Sequence, residues 1–232
     1  MVFDAKLMNK SVLIIVAHPD DETIGCGGAI LKHVSEGDTV NVITLTDGVS
    51  SRSSVSFEDN KARNEAAVNA INALGANWIG SGEFPDNNMD SIPILKIIKF
   101  VESFKESFYP DIIYTHSPSD LNVDHTVAAK ATLTAFRPEP KETYSEIRFF
   151  EIASSTDFSI KQLNKRFEPN LFINIENFIS KKIKALQHYD MEMRDYPHSR
   201  SYKKIESLAE YRGSQSGLPC AEAFEVVRKI RR

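Results

Sequence analysis

Short apolar runs alternate with amphipathic stretches along most of the chain. Ser11–Ala17 (S-V-L-I-I-V-A) is a continuous run rich in β-branched residues, as expected of a strand buried on both faces. Thr23–Ser35 then has helix-compatible apolar spacing at Ile24, Ala29, Ile30, Leu31 and Val34, punctuated by Gly37 and Asp38. Thr39–Thr46 predicts a second strand and Gly48–Ser56 a serine-rich loop. Glu58–Leu74 predicts a long helix ended by Gly75. A short strand at Asn77–Ile79, a loop at Pro85–Asp90 and a helix at Ser91–Ser107 follow. Asp111–Thr115 reads as a strand, Val123–Phe136 as a helix and Tyr144–Ala153 as a further strand. Past Phe167 the pattern gives a strand at Leu171–Ile175 and a helix at Ile179–Met193, then a polar segment (Arg194–Ser201) and a last helix at Ile205–Tyr211.

Strands alternating with helices imply βαβ crossovers, hence a mostly parallel sheet with helices on both faces. The expected fold is α/β, a Rossmann-like three-layer αβα sandwich with a helical C-terminal extension. No repeat or convincing linker divides the sequence, so residues 1–232 are expected to form one domain.

Composition adds limits rather than new elements. With 41% apolar and 26% charged residues over 232 positions, the chain can build a sizeable core, and disordered or fibrous classes are excluded. A net charge of −4, from 28 basic and 32 acidic residues, provides no global basic field, so a nucleic-acid partner is not expected. No apolar run reaches the ~18 residues of a membrane helix. Met1–Lys6 lacks a signal-peptide layout, so a soluble cytoplasmic protein is expected. Two cysteines, Cys26 and Cys220, are too few for a disulfide framework and read as thiols. No heptad seam or apolar edge identifies an interface, which leaves homo-oligomerisation open.

Chemistry concentrates at two predicted strand ends. Ala17-His18-Pro19-Asp20-Asp21-Glu22 follows the first strand, where ligands of open α/β sheets bind. His116-Ser117-Pro118-Ser119-Asp120-Leu121-Asn122-Val123-Asp124-His125 follows the strand at 111–115. If the two strands are neighbours at the switch point of the sheet, His18, Asp21 and His125 converge. Two neutral imidazoles and a carboxylate form a known catalytic Zn²⁺ set that leaves a fourth position for water.

A-H-P-D-D-E near the N-terminus, with N-V-D-H about a hundred residues later, resembles the LmbE-like/PIG-L-like family of zinc-dependent N-acetyl-sugar deacetylases. Softer matches are R-N-E-A-A at Arg63–Ala67, P-D-N at Pro85, H-S-R-S at His198–Ser201, R-G at Arg212 and A-E-A-F at Ala221–Phe224. The resemblance implies an enzyme, a metal-dependent amidohydrolase acting on a small N-acetylated sugar or glycoconjugate. It implies Zn²⁺ bound by His18, Asp21 and His125, with Asp20 as general base. It also implies sugar or phosphate contacts from Arg63 and Asp86. Asp124 is expected to orient a nearby donor or imidazole.

One position departs from the family pattern. Many members have histidine where this chain has Asn122, which can donate a neutral hydrogen bond to substrate but cannot transfer a proton. His116 is the expected replacement as acid–base group. His198 and Arg200 lie in a polar stretch that either covers the pocket or stays solvated. His33, His188 and Trp78 read as structural or surface residues.

Two other readings compete. The first is a catalytically silent sugar-binding homologue, which Asn122 makes conceivable. The second is a nucleotide-binding Rossmann-like domain, which would use Gly25-Cys26-Gly27-Gly28 although these do not form G-x-G-x-x-G. On the deacetylase reading those glycines let the helix start approach the metal loop closely.

Overall fold

In the computed structural model, residues 9–51, 54, 56–162 and 165–231 are described. The Met1–Lys6 reading, and Arg52, Ser53 and Val55 of the serine-rich loop, lie outside them. Seven strands form one sheet in the order β3-β2-β1-β4-β5-β7-β6. β1 (Ser11–Val16), β2 (Thr39–Thr46), β3 (Asn77–Phe84), β4 (Ile112–His116) and β5 (Glu146–Phe150) are parallel. β6 (Leu171–Asn174) and β7 (Ala221–Lys229) complete the sheet, with β7 antiparallel to both β5 and β6.

The chain builds outward from β1 through β2 to β3, then returns across the sheet to place β4 on the other flank of β1. The neighbouring strands expected at the switch point are therefore β1 and β4, in register from Val12 opposite Ile112 to Ile15 opposite Thr115. Alternate side chains of β1 feed separate cores. Val12, Ile14 and Val16 pack toward α1 (Asp21–Ser35), α2 (Phe57–Leu74), α5 (Ile179–Leu186) and α6 (Tyr202–Ser214). Leu13 and Ile15 pack toward α3 (Ile94–Phe108) and α4 (Val123–Ala135). Each such buried side chain contributes roughly 1.5–3 kcal/mol.

Local signals account for both ends of α2. A reciprocal Ser56–Asp59 capping box starts α2, and Gly75 at φ 75° ends it. α1 is broken at Cys26, whose φ/ψ of −144°/19° is not helical. Glu222 of β7 accepts from the Gly28 and Ala29 N–H groups at 2.8 and 2.7 Å, and Lys182 donates to Ile24 O at 2.7 Å and to Glu222. A buried ion pair thus satisfies the backbone groups that the break frees.

Three expectations need correction. The strand expected at Leu171–Ile175 is β6, but the C-terminal region adds a further strand that was not expected, β7. Ala221–Lys229 pairs on both sides, and pairing with distant strands is invisible to a local pattern. β3 runs to Phe84 because Gly80 and Gly82 are accommodated for packing reasons. A Cβ on Gly80 would lie 2.4 Å from Phe104, and one on Gly82 would lie 2.7 Å from Leu45 O. For the same reason Gly25 and Gly28 serve core packing against Phe150 and Ile175, not the loop before the helix.

Candidate metal centre

The loop from β1 into α1 and the loop from β4 into α4 meet at the C-terminal end of the sheet. Asp20 is held at φ 126°, an unfavourable region for a residue with a Cβ, and the Glu22 carboxylate accepts its N–H at 3.0 Å. The strained turn sends consecutive carboxylates to different partners. Asp21 faces imidazoles and Asp20 faces guanidiniums.

His18 Nδ1, Asp21 Oδ2 and His125 Nε2 face one another, separated by 3.1, 3.2 and 3.3 Å. Donors bound to one tetrahedral zinc at ~2.0–2.1 Å would be separated by about 3.3 Å. Carboxylates fix which nitrogen of each ring points inward. His18 Nε2 lies 3.2 Å from both Asp124 Oδ2 and Asp86 Oδ1, and His125 Nδ1 lies 2.9 Å from Asp120 Oδ2. With protons on those outer nitrogens, the inner ones present lone pairs to each other and to Asp21. Three facing acceptors repel unless a cation or protons lie between them. The second oxygen of Asp21, Oδ1, is buried without a hydrogen-bond partner. The donor set and this orphaned oxygen fit a divalent metal.

The electrostatics agree. Burial opposes a proton on His125, but Asp21 and Asp120 outweigh it and hold the ring at about 9. Burial likewise opposes a charged His18, yet Asp124, Asp21 and Asp86 raise it well above the ordinary value. Burial would raise Asp21, but His125 and His116 keep it well below the usual carboxylate range. The site therefore attracts positive charge.

The remaining candidates separate clearly. Asp124 is completely buried and accepts from the Asn87 and Met89 N–H groups at 2.6 and 2.9 Å, so it anchors the loop after β3 as well as His18. Asp86 accepts from Ser51 Oγ at 2.6 Å, and despite burial its contacts with His18 and Ser51 lower it to about 2. Asn122 caps α4, its Oδ1 accepting from Asp124 N at 2.8 Å, while its Nδ2 donates to Asn87 Oδ1 at 3.1 Å.

His116 does not sit where an acid–base group would meet substrate. It is completely buried, its Nε2 accepts from Ala17 N at 2.9 Å, and its ring stacks on His125 at 3.9 Å. Burial and the neighbouring His125 push it down to about 4, so it is a neutral wall behind the cluster of His18, Asp21 and His125. Arg63 likewise does not face the pocket. It is 2% exposed and binds Asp20 Oδ2 at 3.3 Å, Glu192 Oε1 at 2.9 Å and Pro19 O.

Asp120 and Tyr189 were given no role by the sequence reading, and Arg200 was placed only in a stretch that either covers the pocket or stays solvated. Asp120, five residues before His125, orients that ring. Tyr189 donates to Glu22 Oε1 at 2.9 Å, beneath the strained turn. Arg200 donates to Asp20 Oδ2 at 3.1 Å. Only the Asp120 spacing left a readable trace. Elsewhere, Trp78 packs against the core, His33 is buried between Asp38 and Tyr114, and Cys26 and Cys220 are free thiols. No helix among the described residues is long and apolar enough to cross a membrane.

The chain is similar to proteins of known kind. The family model described as "PIG-L: GlcNAc-PI de-N-acetylase" matches residues 13–136, more than half of the chain. A 1D-myo-inositol 2-acetamido-2-deoxy-alpha-D-glucopyranoside deacetylase from Rhodococcus erythropolis is 27% identical over 176 residues, which span 61% of this chain and 60% of that protein. A diacetylchitobiose deacetylase from Thermococcus kodakarensis is 25% identical over 236 residues, covering 95% of this chain and 84% of that one. Among solved structures, the 4-carboxy-2-hydroxymuconate hydratase GalB from Pseudomonas putida KT2440 superposes with a TM-score of 0.77 at 21% identity, covering 96% of this chain and 98% of its own. The shared fold therefore carries more than one reaction, and only the residues of the site distinguish between them.

Proposed function

The chain belongs to the PIG-L, or GlcNAc-PI de-N-acetylase, family, and from that premise we propose that it hydrolyses the N-acetyl group of a small N-acetylglucosamine-type sugar, sugar nucleotide or glycoconjugate. The observation that carries this reading is the convergence of His18, Asp21 and His125 beside Asp20, with one buried oxygen of each aspartate unpartnered. His18, Asp21 and His125 would hold a zinc ion. The two-nitrogen, one-carboxylate set suits zinc, although donor chemistry does not exclude other divalent ions. When bound, such an ion lowers the pKa of water to about 7 and polarises an amide carbonyl.

Asp20 is the general base. Arg63 and Arg200 hold its Oδ2, leaving Oδ1 to take a proton from water and return it to the leaving amine. Burial raises its pKa, against the pull of the two arginines. Asp120 holds the ring of His125, and Asp124 and Asp86 hold that of His18, keeping their inner nitrogens directed at the centre. Exposed Asn87 and half-buried Asn122 offer amide groups to sugar hydroxyls at the rim. The curated relatives named above act, by their names, on N-acetylated amino sugars, which supports this substrate class.

We take the full chain as one catalytic unit, because Tyr189, Glu192 and Arg200 reach the site from outside the 13–136 match. A silent sugar-binding homologue is the second reading, favoured only by Asn122, whose neutral amide is committed to a helix cap.

Metal analysis combined with acetate release from a panel of N-acetyl sugars tests the proposal. About one zinc per chain is expected. Asp20→Asn should retain metal and lose roughly 10²- to 10⁴-fold in rate, whereas His125→Ala should lose metal and activity together. Undiminished acetate release after metal removal would refute the metal role. Bound zinc with no acetate from any sugar would favour the silent binder.

A further inference from the structure

Hydrolysis of an amide builds negative charge on the carbonyl oxygen, and a donor aimed at that oxygen contributes a large share of catalysis. The Asn122 amide is neutral, with its oxygen in a helix cap and its nitrogen directed to Asn87. His116 is buried with Nε2 tied to the main chain. Arg63 is 2% exposed and engaged by Asp20, Glu192 and Pro19. These three residues therefore leave the oxyanion without a cationic side-chain donor.

Arg200 differs from Arg63 in position and in what it leaves free. It lies just before α6, where Ser201 caps the helix and the Arg200 N–H donates to His198 Nδ1 at 3.1 Å, so its backbone is well anchored. Its Nε donates to Ser154 Oγ at 2.8 Å, and its Nη1 donates to Asp20 Oδ2 at 3.1 Å. Its Nη2 makes no hydrogen bond among the described residues, and 19% of the side chain is exposed. The guanidinium is thus fixed by two of its nitrogens beside the base, with the third left for a ligand. Arginine keeps its charge throughout and presents its donors in a rigid fork, so it can bind an oxyanion without exchanging a proton.

Resting on the deacetylase reading above, we infer that Arg200 is a catalytic residue whose Nη2 donates to the acyl oxygen of the substrate as it becomes an oxyanion. It supplies the electrophilic contact that Asn122 cannot supply as a cation. Arg200 makes and breaks no covalent bond, and the proton moved in the reaction remains with Asp20.

The test compares wild type, Arg200→Gln and Arg200→Lys in the zinc-loaded full chain, using the best acetyl sugar from the panel. A second probe is glucosamine bearing a methylphosphonamidate, a tetrahedral anion in place of the acetyl group. Arg200→Gln should lower kcat roughly 10²- to 10³-fold while metal content stays the same. KM should move less than about 3-fold. Arg200→Lys should recover part of the rate and confirms that a folded variant was measured.

Affinity for the phosphonamidate should fall by a factor similar to that in kcat, and should fall again when Arg200→Gln is made in an Asp20→Asn background. If Arg200→Gln leaves phosphonamidate affinity unchanged in that background, Arg200 acts only through Asp20 and the inference fails. If wild type releases no acetate, the deacetylase reading fails first and the inference falls with it.

Discussion

Two adjacent carboxylates divide the site into unlike halves. On one side Asp21 faces His18, His116 and His125, all on the β1 and β4 strand ends or the start of α4. On the other side Asp20 faces Arg63 of α2 and Arg200 of the segment before α6. The histidine half presents lone pairs and an ionised carboxylate that call for a cation. The arginine half already carries its fixed cations, and so holds a carboxylate in place without calling for another. The difference comes from one backbone turn: Asp20 at φ 126° directs neighbouring side chains into separate environments.

The strongest challenge to this contrast is Arg63→Met. Removing the guanidinium takes from the buried Asp20 carboxylate one of the two arginines that hold it, a change expected to cost about 3–5 kcal/mol. Urea unfolding of the metal-free protein measures it. A cost below 1 kcal/mol would mean that the arginine half is not a structural clamp.

A smaller effect is expected on the histidine side. Asp120→Asn keeps the shape near His125 but removes the charge that orients its ring. Metal affinity should fall about 10- to 100-fold, while stability of the metal-free protein changes little. Competition with a fluorescent chelator reads the first and thermal unfolding the second. Loss of stability without loss of affinity would make Asp120 part of the scaffold only.

The smallest effect lies outside both halves and serves as a control on their pH dependence. Burial holds His33 below its ordinary 6.5, although Asp38 pulls the other way. Below pH 6.5 the unfolded chain therefore takes up a proton more readily than the folded one, and stability should fall as pH is lowered through and below that value. His33→Gln should flatten this part of the curve in metal-free protein, as read from urea midpoints between pH 7.5 and 5. An unchanged slope would assign the acid sensitivity to His116, which burial and the neighbouring His125 hold low, since His18 and His125 are raised and act in the opposite sense.

Much of this was legible in the residues. The run Ser11–Val16 could bury itself only as a central strand, and Gly75 could end α2 because its position needs φ > 0. His18, Asp21 and His125 were legible as a convergent set because strand ends and helix starts collect ligands in this kind of sheet. His116 misled because its position at a strand end says nothing about which way the ring turns. In the fold, its nitrogen is taken by the Ala17 N–H. Arg63 misled for a similar reason. Packing against Tyr189, 5.3 Å from the guanidinium to the ring centroid, together with contacts to Asp20, Glu192 and Pro19, buries a charge whose sequence context is an ordinary helix face.

By itself, then, the sequence determined the period of the elements from β1 to α5, apart from the far end of β3, and the chemistry of the first loop, because strand and helix preferences and donor types are local properties. The tertiary structure alone decided that β7 fills the gap between β5 and β6, that Glu222 and Lys182 mend the break in α1, and that Arg200 meets Asp20 across 180 residues. Those contacts depend on which surfaces are brought together when the sheet closes over its two cores. No local pattern encodes a partner that distant.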